Sequence, residues 1–495
     1  MAATTAAKIA RSSLWLTSSF LIGKLSQVLA QIVLARLLLP EDFGVWGMVL
    51  VVTALSNIFK DSAISGVLIQ RGIDDKTLVN AVYSLGITVS IVVFFLQSAI
   101  GFPLALFFDR PIVFPLTAVS ALTFLIGAGA GTHGAILQQQ MKFRQIAIAR
   151  WISSSIKLIT IIAAAVLGAG VWSFVVAELA FTTVSSVLRR SFSGYRCQFQ
   201  LRPDAVALRN VRRYVGSLIG INLAVYANTN SDNMIIGRLL GAQSLGLYNL
   251  AYQLAMMPTF VLSQVNHVSF SVMSQLSRRA LQRYVSRSVE LYAMVSAPMY
   301  GVAFVLAPLA IPWIYGPEWQ PVVGLFRWVL VFAYARGFMA ILGTTLNAID
   351  RPELNAFMNW VLVPISLPAF AVGAWFGGIQ GVAISVAIVM GVGATAWFWL
   401  ATCRAARWDA IALLNPLGIP TVAIALSIAC SHWLVSAIPL PQWSQSILVL
   451  AGYLGIAGVL SGGQMFEVFK ETLLKSLNVS SKPTPNQTST KRTVF

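Results

Sequence analysis

An ionisable side chain at the centre of a bilayer costs about 2.5–3.5 kcal/mol on insertion scales, so each one found in a long apolar run needs a physical reason. Four cations of this chain lie in such runs: Lys24, Lys60, Arg150 and Lys157. Lys24 precedes Gln27 and Gln31 by three and seven residues, a spacing that puts all three on one helical face. Thr53, Asn57, Lys60 and Asp61 form a second stripe, and Arg150, Ser154 and Lys157 a third. The stripes could face one water-filled cavity. They could instead be structural, with Lys24 and Lys60 snorkelling to an interface and Lys60 pairing with Asp61. Lys157 favours the cavity, because it sits too deep in its run to snorkel easily.

Later runs are polar without being cationic. Asn222, Tyr226, Asn230 and Asn233 share a stripe, with Asp232 beside it, and the next run carries Asn249, Gln253, Gln264 and His267. Amides donate and accept hydrogen bonds, as hydroxyls do, so these could line an aqueous path for sugars. They could equally glue helices together. Arg327 and Arg336 are nine residues apart and so on opposite helical faces; Arg336 is the deeper and the better cavity candidate. Asp61, Glu178, Asp232 and Glu290 are the acids in or at the edges of runs, and any could exchange a proton or bind a coupling cation. His133, His267 and His432 lack metal-ligand spacing, and no phosphate loop, nucleophile elbow or paired-carboxylate motif occurs. Neither enzymatic activity nor a cofactor or metal is expected. Gly127–Gly131 is expected to serve small-residue helix packing.

The elements that hold these residues are membrane spans. Of 495 residues, 57% are hydrophobic and only 10% charged, against about 25% charged in a soluble domain. Apolar runs fall near 13–38, 43–69, 78–107, 111–137, 145–168, 170–188, 211–239, 243–275, 284–314, 321–348, 353–376, 379–403, 415–437 and 443–463. That predicts an all-α polytopic membrane protein with about fourteen transmembrane helices. The net charge of +18 is not a nucleic-acid signature, because the basic residues cluster in alternate short links. Links with Lys142 and Arg144, Arg189 to Arg213, Arg278 to Arg283, and Arg404 with Arg407 belong to one side. The positive-inside rule makes that side cytoplasmic and puts both termini inside. Cys197 and Cys403 then lie in a reducing compartment, where disulfides are not expected. The first run is too long for a signal peptide and shows no cleavage site, so it reads as an uncleaved span.

Ile32 to Trp46 recurs at Met234 to Tyr248 with Arg36/Arg238, the two leucines after each, and Gly44/Gly246 identical. Six spans separate the copies, so two units would be related by an axis along the membrane normal. The expected division is a six-helix lobe at 1–190, a cytoplasmic linker at 191–210, a second six-helix lobe at 211–403, two extra helices at 404–465, and a polar tail at 466–495 that is expected to be disordered and cytoplasmic. Arg36 and Arg238 fall at the outer ends of odd spans and read as headgroup anchors.

The block from Leu34 to Met48 resembles the first-loop signature of Wzx-like polysaccharide and O-antigen flippases, a branch of the multidrug/oligosaccharidyl-lipid/polysaccharide exporter superfamily. Gln138 to Ala147, Asp232 to Tyr248, and Tyr315-Gly-Pro-Glu-Trp319 resemble further motifs of that family. The resemblance extends to about residue 465. It implies two lobes around a central cavity and alternating access that carries an undecaprenyl-diphosphate-linked oligosaccharide across the bacterial inner membrane, for exopolysaccharide or lipopolysaccharide synthesis. Lys24, Lys60, Arg150, Lys157 and Arg336 would then meet the diphosphate. Gln27, Gln31, Asn57, Asn222, Asn230, Asn233, Gln253 and Gln264 would form the sugar path. Partners would be membrane lipids, the polyprenyl-diphosphate-linked glycan, and the polymerase and chain-length regulators of the same pathway. Two rivals stand beside this reading. A drug or cation exporter of the superfamily usually takes cationic cargo, which a cationic cavity opposes. A membrane polymerase or ligase typically carries a long outer loop, and every outer link here is short.

Overall fold

The computed structural model describes residues 2–62, 68, 73–201, 223, 225–437, 441 and 443–463. Among them the secondary structure is helical throughout, and each of the fourteen apolar runs falls wholly or partly on a helix. The first six spans are α1 (Ala2–Leu37), α2 (Pro40–Ser62), α3 (Lys76–Phe108), the pair α4 (Val113–Ile126) and α5 (Ala130–Gln139), α6 (Phe143–Val166) and α7 (Trp172–Ser193). Then come α8 (225–239), α9 (Gly241–Met273), α10 (Arg278–Tyr315) and α11 (Val322–Ala348). The chain closes with α12 (Pro352–Ser385), α13 (Ala394–Ala406), α14 (Ala410–Ala437) and α15 (Ser444–Leu460). Seven described helical stretches are each long and apolar enough to cross a membrane, and the bent α4–α5 pair makes an eighth. The protein is a multi-pass membrane protein.

Local chemistry sets several boundaries. Pro40 opens α2 at a position with no hydrogen bond to lose, and Glu41 and Asp42 sit against the positive helix end. Asp75 caps α3 by accepting from the backbone N–H of Thr77 and Leu78. Gly378 has φ +56 and ψ −143, so α12 is two arms rather than one long rod. A Cβ on Gly381 would overlap the carbonyl of Gly373, eight residues back, which requires the chain to reverse there. The runs at 353–376 and 379–403 are therefore separate passes.

Gly127–Gly131 does more than pack. The span breaks there by 45°, with Gly129 at φ +74 and the Tyr83 ring lying where a side chain would project. Small residues permit the break because a left-handed backbone and an abutting ring both exclude a Cβ.

The described chain forms two compact units. The first comprises the described residues within 1–260, 307–339 and 350–398, and the second those within 261–306, 340–349 and 399–495. In the second, Tyr453 donates to the carbonyl of Met294 at 3.0 Å, Ile424 fills the space over Gly301, and the Arg278 guanidinium donates to the carbonyl of Ala406. In the first, residues beyond α7 are clipped along α3: Gln198 N–H donates to Asn80 Oδ1 at 3.0 Å and Gln200 N–H to Ser84 Oγ at 2.8 Å. Tyr195 and Cys197 pack there on Leu78, Val79 and Val82, and burial pushes the Cys197 thiol up to about 11. A thiol with so little thiolate at neutral pH is a poor nucleophile. The expected linker at 191–210 is described only as far as Leu201, and the tail from 466 lies outside the described residues.

The recurring block proves to be a contact with itself. A Cβ on Gly44 would overlap the carbonyl of Ala242, and a Cβ on Gly246 would overlap the carbonyl of Pro40. The copies are offset by 202 residues, so these are the same contact made twice with the roles exchanged. Gly47 sits at the self-paired position, where it faces the Asn249 amide. Reciprocity of that kind is what a local two-fold axis between duplicated segments produces.

Candidate functional site

A cavity of about 660 Å³ opens among α1, α2, α6, α7, α8 and α9, within the first unit. Three of the five candidate cations line it: Lys24, Arg150 and Lys157. Of the eight candidate amides, Gln27, Gln31, Asn57, Asn230, Asn233 and Gln253 line it too, together with Asn249. The stripes inferred from helical spacing thus converge from both copies of the repeat.

The cations are held in distinct ways. Lys24 Nζ donates to Gln27 Oε1 at 3.2 Å, one helical turn along. Arg150 is exposed and comes from α6 against the same stretch of α1, its Nε 3.9 Å from where a Cβ on Gly23 would lie. Lys157 Nζ meets Glu178 Oε2 at 2.5 Å and lies 5.5 Å from the centre of the Phe181 ring. Its side chain keeps 40% of its accessible surface and that of Glu178 31%, so the pair borders open space. Cavity and pairing, set out above as alternatives, hold together for Lys157. The charged lining is three cations against one carboxylate, a positive excess facing the cavity.

The amide wall carries unspent hydrogen-bonding capacity. Gln31 is 6% exposed, and neither its Nε2 nor its Oε1 has a hydrogen-bond partner among the described residues; the same holds for Asn233 Oδ1. A buried amide without a partner is destabilising unless something else supplies the bonds. Asn230 Nδ2 donates instead to the Tyr226 carbonyl at 3.1 Å.

Other candidates are placed elsewhere. Lys60 lies 5.3 Å from the centre of the Phe124 ring, beyond the cavity-lining stripe of α2 that ends at Asn57. Arg336 is half-buried on α11 and does not line the cavity. Asp232 is buried: its Oδ2 accepts from Tyr248 Oη at 2.6 Å and its Oδ1 from the Asn233 backbone at 2.8 Å. Glu290 belongs to the second unit and pairs with Arg287 at 3.6 Å, one turn away. Asn222 and the side chains of Asp61 and Gln264 lie outside the described residues.

Aromatic residues complete the site, and spacing alone did not single them out. Trp46 stacks on Phe174 at 5.5 Å, and Phe43 meets Phe174 and Trp319 edge-on at 5.4 and 5.1 Å. Phe43, Trp46, Phe174 and Phe181 line the cavity. Trp319 Nε1 donates to the carbonyl of Ala35 at 2.9 Å. Arg36, expected to anchor in headgroups, donates to the carbonyls of Trp313 and Ile314 at the end of α10. A guanidinium there satisfies carbonyls that a helix C-terminus leaves open. Arg238 instead lies over Phe107 at 5.9 Å.

The fold is similar to that of solved transporters. It resembles the lipid II flippase MurJ in an inward closed conformation with a TM-score of 0.71, at 13% identity, covering 91% of this chain and 98% of that one. It resembles an inward-facing multidrug resistance MATE family transporter with a TM-score of 0.58, at 14% identity, covering 80% and 99%. Among curated proteins, the lipopolysaccharide biosynthesis protein WzxC of Escherichia coli is 25% identical over 72% of this chain and 73% of its own. The succinoglycan biosynthesis transport protein ExoT of Rhizobium meliloti is 24% identical over 74% and 75%. Residues 33–324, more than half of the sequence, match the family described as polysaccharide biosynthesis protein, and the chain belongs to that family.

Proposed function

We propose that the chain is a flippase that carries an undecaprenyl-diphosphate-linked oligosaccharide across the bacterial inner membrane by alternating access between two six-helix lobes. It is a transporter and not an enzyme of the pathway. The observation that carries the reading is the convergence of Lys24, Arg150 and Lys157 with Gln31, Asn233 and Gln253 on one cavity. Guanidinium and ammonium groups bind phosphate oxygens by charge-assisted hydrogen bonds, whereas amides suit hydroxyls. The lipid tail would stay in the bilayer. Both termini and the basic links would be cytoplasmic, and a polymerase with its chain-length regulators would receive the product. Lys60, Arg336, Asp232 and Glu290 fall outside the cavity lining and play no direct part in this reading. A drug exporter, for which the MATE likeness speaks, is the weaker reading because a positive lining repels cationic cargo.

The test is translocation of an undecaprenyl-diphosphate-linked oligosaccharide in vesicles containing the purified protein. Replacing Lys24 and Lys157 together with alanine should lower the rate at least tenfold, the scale of one lost charge-assisted bond. Unchanged translocation, or unchanged polymer export in cells, overturns the assignment.

A further inference from the structure

Within the cationic wall one carboxylate is out of place. Glu178 projects from α7 into the same cavity as Lys24, Arg150 and Lys157, and its Oε2 sits 2.5 Å from Lys157 Nζ. The pair is not sealed between α6 and α7. This pair keeps about a third of its surface open to the cavity instead. On the other side of Lys157, the Phe181 ring face at 5.5 Å adds attraction for a cation without neutralising it. Further along the wall Arg150 lies against the stretch of α1 that carries Lys24, its Nε 3.9 Å from where a Cβ on Gly23 would lie. Lys157 is thus a cavity cation joined to a carboxylate of the same wall.

We propose that Glu178 is a built-in counter-ion that occupies Lys157 until the anionic end of the cargo displaces it. Glu178 thereby sets the affinity of the cavity for the diphosphate. The inference rests on the cargo reading above. Its chemistry is competition. A diphosphate carries more charge than one carboxylate and also engages Lys24 and Arg150, so it can exchange places with Glu178 at Lys157. When the cargo leaves, Glu178 re-forms the pair and helps expel the anion. Without Glu178 the cavity would bind a diphosphate more tightly and release it more slowly. A transporter needs binding strong enough to load yet weak enough to unload, because affinity spent equally on every state slows release. Glu178 would tune that balance in a way the lysine and arginine positions cannot.

The experiment measures binding of undecaprenyl diphosphate to purified protein in nanodiscs, followed by the fluorescence of cavity-lining Trp46, with neutral undecaprenol as the reference lipid. Glu178→Gln keeps the shape of the side chain and removes its charge. Undecaprenyl diphosphate should bind about fivefold tighter to the variant, the factor that a partly exposed ion pair can hold back. Its translocation at saturating cargo should fall by a similar factor. Glu178→Asp places the same charge one methylene further from Lys157 and should shift affinity in the same direction by less. It decides the question if the glutamine variant does not fold. Equal or weaker binding by both variants, with the wild type still preferring the diphosphate over undecaprenol, overturns the counter-ion alone. No preference for the diphosphate in any of the three chains overturns the cargo reading and the counter-ion with it.

Discussion

The two copies of the repeated block share a backbone contact and differ in nearly everything their side chains do. Gly44 and Gly246 each lie against the other copy's chain. Around them, Trp46 of the first copy stacks on Phe174 at the cavity, whereas its counterpart Tyr248 is buried and donates to Asp232. Arg36 closes the end of α10, while Arg238 rests on Phe107. The same divergence extends to the walls: α1 and α6 supply the three cations Lys24, Arg150 and Lys157, beside the amides Gln27, Gln31 and Asn57 of α1 and α2, whereas α8 and α9 supply the amides Asn230, Asn233, Asn249 and Gln253 without a cation. Duplication therefore fixes how the segments meet, and the side chains facing the cavity were free to specialise for different parts of a cargo.

The largest effect should come from disturbing what the copies share. A methyl group on Gly44 or Gly246 would collide with a backbone carbonyl, which has no rotamer to retreat into. Gly44→Ala and Gly246→Ala should each destabilise the purified protein by about 3 kcal/mol, at the upper end for overpacking, measured as a fall in thermal midpoint. Gly47→Ala meets the ends of the Asn249 and Leu245 side chains rather than backbone, and should cost less. Markedly unequal losses at Gly44 and Gly246 would break the symmetry argued for here.

Next comes the contrast between the walls. Arg150→Gln removes a charge from the α6 wall and should slow translocation by tenfold or more, while Asn233→Ala on the opposite wall should slow it by about fivefold, the difference between charged and neutral hydrogen bonds. The arginine variant should also lose much of the salt sensitivity of binding, because exposed charges are screened by salt and amides are not. If both variants respond equally to salt, the division of labour between the walls fails.

A smaller effect separates Trp46 from Tyr248. Tyr248→Phe leaves a buried carboxylate oxygen of Asp232 without its 2.6 Å donor and should cost about 1–3 kcal/mol of stability. Trp46→Phe keeps an aromatic face against Phe174 and should leave stability nearly unchanged while altering cargo affinity. The reverse pattern would exchange the structural and functional roles given to the two positions.

Much of this is legible in the sequence. Helical spacing placed Lys24 with Gln31 and Arg150 with Lys157 on shared faces, and those faces do border one cavity. Spacing reports a face, however, and not what the face meets. Lys157 and Glu178 are 21 residues apart on different helices, so their pairing is a property of packing. Lys60 continues the stripe of Asn57, yet past the last cavity-lining turn the nearest surface is the Phe124 ring. Arg36 looked like a headgroup anchor because nothing in the sequence says that the end of α10, almost 280 residues later, offers it carbonyls.

The faintest difference between the copies lies at their first helical turn. Glu41 pairs with Arg110 at 2.8 Å, both side chains being nearly half exposed, and the matching position of the second copy is the uncharged Gln243. Glu41→Gln makes the first copy like the second. Exposed ion pairs are worth about 0–1 kcal/mol, and a charge in the first turn of a helix contributes a few tenths more. The variant should therefore shift the thermal midpoint only slightly, and the shift should vanish in high salt. A loss above about 1.5 kcal/mol would mean that the two first turns are not equivalent supports, and that the first copy depends on a charge its twin does without.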